Sequence, residues 1–191
     1  MAQKFIYICH IIKNMKDYIL TSGLYIGLLF ILLTVFSYAV GVEFCLNETW
    51  SLIKGILPYV LLVFLVLRYK KLLGGYISFK DAFSVTIGSL VAGAFIGTFF
   101  SILMYNYLTP DFAAMLKQAT LDKLFVQLEQ LPEENSMYSV METLIEQTES
   151  EDIYSPSNQL KGFFYGLLIQ IILSLIVAAF IKKDKPIELS E

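Results

Sequence analysis

Four stretches without a charged side chain limit what this chain can become: Tyr18–Val42, Gly55–Leu67, Ala82–Leu108 and Gly162–Ile181. Crossing a hydrocarbon core of about 30 Å takes roughly 20 helical residues at 1.5 Å each. The first, third and fourth stretches reach that length. The second is short, and becomes long enough if its helix runs from Trp50 to Tyr69, with Lys54 snorkelling outward and Pro58 tolerated within the membrane. The expected fold is an all-α membrane protein of four transmembrane helices.

Basic residues decide whether the second stretch crosses. With four spans, Lys4, Lys13 and Lys16, then Arg68, Lys70, Lys71 and Lys80, then Lys182, Lys183 and Lys185 share one side, which is 10 of the 14 Lys and Arg. Lys54, Lys117, Lys123 and Lys161 lie opposite. Three spans would scatter the charges and leave the orientation undefined. The positive-inside rule therefore prefers four spans with both termini cytoplasmic. The first apolar run is also longer than the roughly 7–15 residues of a signal peptide, so it reads as an uncleaved helix.

Composition narrows the chemistry. The chain is 57 % hydrophobic and 16 % charged, and acidic residues outnumber basic ones, so no basic field exists to hold nucleic acid. The single histidine, His10, and two cysteines, Cys9 and Cys45, cannot assemble a tetrahedral metal site. This topology also places Cys9 inside and Cys45 outside, which forbids a disulfide between them. The acidic clusters Glu133-Glu134 and Glu149-Glu151-Asp152 lack the central glycine of an EF-hand loop, so a solvated acidic face is expected there. No cofactor or metal ligand set emerges.

Five parts follow along the chain. Residues 1–19 read as a cytoplasmic amphipathic helix lying in the membrane interface, with Phe5, Ile8, Ile12, Met15 and Ile19 on one stripe. Residues 20–108 hold helices 1 to 3 and a Gly-Gly cytoplasmic loop. Residues 109–161, carrying 10 of the 17 acidic residues, read as a periplasmic helical hairpin. Thr109-Pro110-Asp111 starts its first helix, and Ser136 caps its second. Residues 162–183 form helix 4, and 184–191 a cytoplasmic tail.

Inside the spans the pattern speaks of packing. Ser89, Gly93, Gly97 and Ser101 recur every four residues in the third span. Gly162, Gly166, Gln170 and Ser174 do so in the fourth. Small residues at this spacing let helix backbones approach closely, and Gln170 can hydrogen-bond across the seam. Either row can face the other or a second protomer. The span cores lack Asp, Glu, Arg and His, the residues on which proton relays and ion-coupled transporters depend. No nucleophile–base motif appears either, so an enzyme is not expected.

The second loop reads Gly74-Gly75-Tyr76-Ile77-Ser78-Phe79-Lys80-Asp81-Ala82-Phe83. The paired glycines permit positive φ, and Ser78 can cap the third helix from Phe79. This segment, with Pro110-Asp111-Phe112, Ser155-Pro156 and Ile181-Lys182-Lys183, resembles a bacterial inner-membrane family catalogued as domain of unknown function 4199. The resemblance covers roughly residues 16–184 and implies topology and location, since it carries no known activity.

The expected function is that of a non-enzymatic inner-membrane accessory or scaffold protein. Its partners would be the lipid bilayer and another membrane or periplasmic protein, or a second copy of itself. Leu124, Leu128, Met141 and Leu144 on the hairpin are the candidate partner surface. A small oligomeric transporter or channel, lined by Ser, Thr, Gln and backbone, is the alternative.

Overall fold

The computed structural model describes residues 2–185, with side chains from Met15 onward. Seven helices follow one another: α1 (Ala2–Val40), α2 (Val42–Cys45), α3 (Glu48–Leu72), α4 (Phe79–Leu103), α5 (Pro110–Glu129), α6 (Ser136–Ser150) and α7 (Pro156–Ile181). A π-helical turn, Met104–Leu108, continues α4. Four stretches are long and apolar enough to cross a membrane: Met15–Val40, Glu48–Leu72, Phe79–Leu108 and Pro156–Ile181. The short second stretch thus becomes a full-length helix, with Pro58 buried inside it. The fourth begins six residues ahead of Gly162, because Pro156 can occupy a first helical turn without loss.

α1 is unbroken from Ala2. The amphipathic stripe expected at Phe5, Ile8 and Ile12 belongs to side chains outside the described set, as do Cys9 and His10. At its other end α1 stops at Gly41, whose φ of 118° suits glycine alone. Asn47 then starts α3, its side-chain oxygen accepting from the Trp50 N–H at 3.1 Å.

The chain forms two compact units. One takes the helices up to Phe30, Gly55–Gly97 and the chain from Phe163 on. Its centre is apolar: Ile26, Leu62, Val66, Val85 and Ala178 are fully buried. Between lipid-immersed helices apolar burial gives little net drive, so close van der Waals contact must hold the pieces together. α1 and α4 achieve that contact through glycine on both sides. A Cβ added at Gly93 would fall 2.5 Å from Ile26, and one at Gly23 would fall 2.5 Å from the Ala92 Cβ. Gly27 and Gly97 repeat the arrangement one turn along, against Ile96 and Phe30. The Tyr18 hydroxyl adds a polar tie, donating to the Leu65 carbonyl at 2.8 Å.

The other unit takes Ile31–Lys54 and Thr98–Gly162. There α5 packs against α6, α2 and the π-helical turn. Ala113, Leu116, Leu121 and Ile145 are buried at these contacts. A short polar relay fastens the end of α1: Trp50 Nε1 donates to Ser37 Oγ at 2.8 Å, which donates to the Leu33 carbonyl at 2.7 Å.

Candidate functional site

The Gly-Gly loop is the best-defined local structure. Gly74 and Gly75 take φ of 79° and 89°, a conformation L side chains rarely adopt, and they reverse the chain between α3 and α4. Ser78 then closes the start of α4. Its hydroxyl accepts from the Asp81 N–H at 3.1 Å and donates to the Asp81 carboxylate at 2.8 Å, so one residue pair covers an exposed helix end. Phe79, the first residue of α4, stacks with Phe83.

Ile77 does something no local pattern announces. Only 2 % exposed, it pairs antiparallel with Lys183, each N–H donating to the other's carbonyl at 2.9 Å. Lys70 Nζ donates to the Ile181 carbonyl at 2.7 Å, covering one of the orphaned acceptors at the end of α7. The Lys183 ammonium lies 5.3 Å from the centre of the Tyr76 ring. The loop therefore clasps the exit of the last helix as well as joining α3 to α4. Beside the clasp lies a cleft of about 390 Å³, with Tyr69, Tyr76, Asp81, Lys183 and Lys185 in its wall.

The small-residue rows are placed differently from one another. Ser89 and Gly93 are buried, and Gly97 meets Phe30. Ser101 is half-buried. The partner of this row is Gly23-x-x-x-Gly27 of α1, a pair of the same spacing that sequence reading passed over. On α7, Ser174 is fully buried, whereas nothing lies within 4 Å of a Cβ added at Gly162 or Gly166. Gln170 Oε1, Ser89 Oγ and Ser174 Oγ are buried without a hydrogen-bond partner among the described residues.

In the hairpin the N-cap of α6 is Asn135 rather than Ser136; its side chain accepts from the Met137 N–H at 2.9 Å. Asn and Ser cap about equally well, and the chain places Asn first. Thr109 precedes Pro110 as expected but makes no side-chain cap; its hydroxyl donates back to the Met104 carbonyl at 2.9 Å. That bond and Asn106, whose amide donates to the carbonyls of Ile102 and Tyr154, brace the π-helical turn. The three lysines of this acidic segment all have partners. Lys117 donates to the Glu149 carbonyl, Lys123 to the Leu46 carbonyl, and Lys161 pairs with Glu151 at 3.8 Å.

Of the candidate partner surface, Leu124, Leu128 and Met141 are half-buried, and Leu144 is exposed. The open apolar row on α6 is Met137, Val140 and Leu144, all 43–51 % exposed. A cavity of about 370 Å³ lies near the π-helical turn, with Tyr105, Asn106, Lys117, Asp152 and Tyr154 in its wall. Burial raises the Tyr154 phenol well above its ordinary range, and neighbouring Tyr105 adds to this. Burial likewise raises the Cys45 thiol against the opposing charge of Lys54. A thiol held protonated is a poor nucleophile.

Among the described residues no three His, Cys, Asp or Glu side chains gather as a metal site. Such an arrangement, all-helical with four membrane-length apolar helices, defines a multi-pass helical membrane protein. More narrowly, the chain belongs to the family described as protein of unknown function, DUF4199, which matches residues 21–183. No curated protein and no solved structure matches the chain.

Proposed function

We propose that this is a non-enzymatic accessory or scaffold protein of the bacterial inner membrane. Both termini and the Gly-Gly clasp face the cytoplasm, and the α5–α6 hairpin faces the periplasm, where it meets another membrane or periplasmic protein. The carrying observation is the α6 row Met137, Val140 and Leu144, which with Met115, Phe125 and Val126 of α5 stays exposed on an acidic hairpin while Leu121 and Ile145 are buried. A row of this kind on a water-facing element marks an interaction surface more often than chance scatter does. The acidic charge disfavours the anionic membrane surface as its cover.

Affinity purification in mild detergent tests this reading. Val140→Glu with Leu144→Glu should abolish co-purification of a periplasmic or membrane partner and leave the protein inserted. Leu124 is half-buried and would confound such a test with unfolding. Unchanged co-purification would remove the hairpin from the account. Orientation is checked separately: a cysteine at Ser136 should react with an impermeant maleimide from the periplasmic side only.

One observation favours the second reading, a small oligomeric transporter or channel. Among the described residues Ser89, Gln170 and Ser174 carry buried polar atoms without partners inside apolar helices, where an unsatisfied group costs several kcal/mol, on the order of 2–7. Saturable solute flux in proteoliposomes would make that reading the leading one.

A further inference from the structure

The cleft beside the clasp carries a chemistry that joining helices does not use. At about 390 Å³ it lies within the range of small-molecule sites, roughly 300–1,000 Å³. Its wall holds two cations, Lys183 and Lys185, and two anions, Asp81 and Asp184. Tyr69, Tyr76 and Leu72 supply the apolar part. Position adds to this. α3 ends at Leu72, α4 begins at Phe79 and α7 ends at Ile181, and all three are membrane-length helices. The cleft therefore sits where hydrocarbon gives way to headgroups. Leu72, 69 % exposed, offers an apolar edge at that level.

A balanced pair of cations and anions suits a ligand that carries both charges a few bonds apart. We propose that the cleft binds the headgroup of a zwitterionic phospholipid bearing a primary ammonium. Lys183 and Lys185 take the phosphate, Asp81 and Asp184 take the ammonium, and an acyl chain lies along Leu72. A quaternary ammonium fits less well, for two reasons. It cannot donate hydrogen bonds to the carboxylates. The aromatic face that would otherwise hold it, Tyr76, already has the Lys183 ammonium 5.3 Å from its centre. An anionic lipid without an ammonium leaves both carboxylates facing a like charge.

The test is native mass spectrometry of the full-length protein with equal amounts of phosphatidylethanolamine, phosphatidylcholine and phosphatidylglycerol. Phosphatidylethanolamine should be retained about tenfold better than either, the factor that one charge-assisted hydrogen bond commands. Asp184→Asn and Lys185→Gln alter exposed residues outside the clasp's hydrogen bonds. Each should lower that retention about as much without moving the thermal midpoint in lipid-free detergent. Equal retention of phosphatidylglycerol overturns the proposal, as does retention that neither variant changes. Displacement of the lipid by soluble glycerophosphoethanolamine at matched concentration would overturn the lipid as the source of the headgroup.

Discussion

Substituting alanine at Gly93 and at Gly166 should move stability in opposite directions. Both glycines lie inside membrane-length helices, where alanine is intrinsically favoured by about 1 kcal/mol. At Gly166 a new Cβ meets nothing within 4 Å, so most of that gain should appear. At Gly93 the same atom lands 2.5 Å and 2.7 Å from the Cγ2 and Cβ of Ile26, and 3.1 Å from the Gly23 carbonyl oxygen. The Ile26 Cβ and a helical carbonyl cannot rotate away. Restoring ordinary contact at 3.4 Å from the Ile26 Cβ, now 2.7 Å away, means moving α1 and α4 apart by about 0.7 Å. A gap of 0.5–1 Å forfeits about a quarter to a half of each van der Waals well along the seam. Lipid supplies no hydrophobic compensation. Overpacking costs about 1–3 kcal/mol, and the rigid neighbours place Gly93 in the upper part of that range. After the helix gain the net loss is about 1–2 kcal/mol, or roughly 2–8 °C for a chain of this length. Circular dichroism at 222 nm during heating in detergent reads both variants. A Gly93→Ala midpoint at or above the parent's would refute the account of the seam.

Three further outcomes are expected. Gly75→Ala has open space around it but must hold φ near 89°, so it should lose about 1–2 kcal/mol, measured by the same thermal melt. In a Cys9→Ser background, buried Cys45, its thiol kept protonated, should react with maleimide far more slowly in mild detergent than in SDS; equal rates would contradict its burial. The raised phenol of Tyr154 makes its stabilising contribution complete below the unfolded value of 10.0, and this is lost as pH climbs toward the higher folded value. The melting temperature of the parent should therefore fall more steeply above pH 10 than that of Tyr154→Phe.

Local features of this chain were legible in its sequence, and long-range ones were not. Four spans follow from uncharged length, and the Glu48–Leu72 helix follows from counting lysines, because Pro58 and Lys54 hide it from a simple apolar window. Gly74-Gly75 and Ser78 act as their types dictate, since a positive φ and a helix cap are decided within a few residues. The pairing of Ile77 with Lys183 has no such signature: any two backbones can form it, and only the folded arrangement selects these two. Gly23-x-x-x-Gly27 was readable by the spacing rule that picked out Gly93-x-x-x-Gly97, though spacing does not say which helices meet. The π-helical turn rests on Asn106 reaching Tyr154, 48 residues away, which local propensity cannot foresee.

The clasp also imposes an order of events on synthesis. Lys70 and the Ile181 carbonyl that it covers are separated by 111 positions, and Ile77 waits for Lys183 almost as long. At a translation rate of about 5–20 residues per second, the loop stays open for several seconds after it leaves the ribosome. During that interval the Ile77 N–H and carbonyl stand available to any other strand or to a protease. Insertion of α7 is the event that closes them. A chain that lacks its last helix therefore leaves both the Lys70 ammonium and the Ile77 backbone pair without these partners.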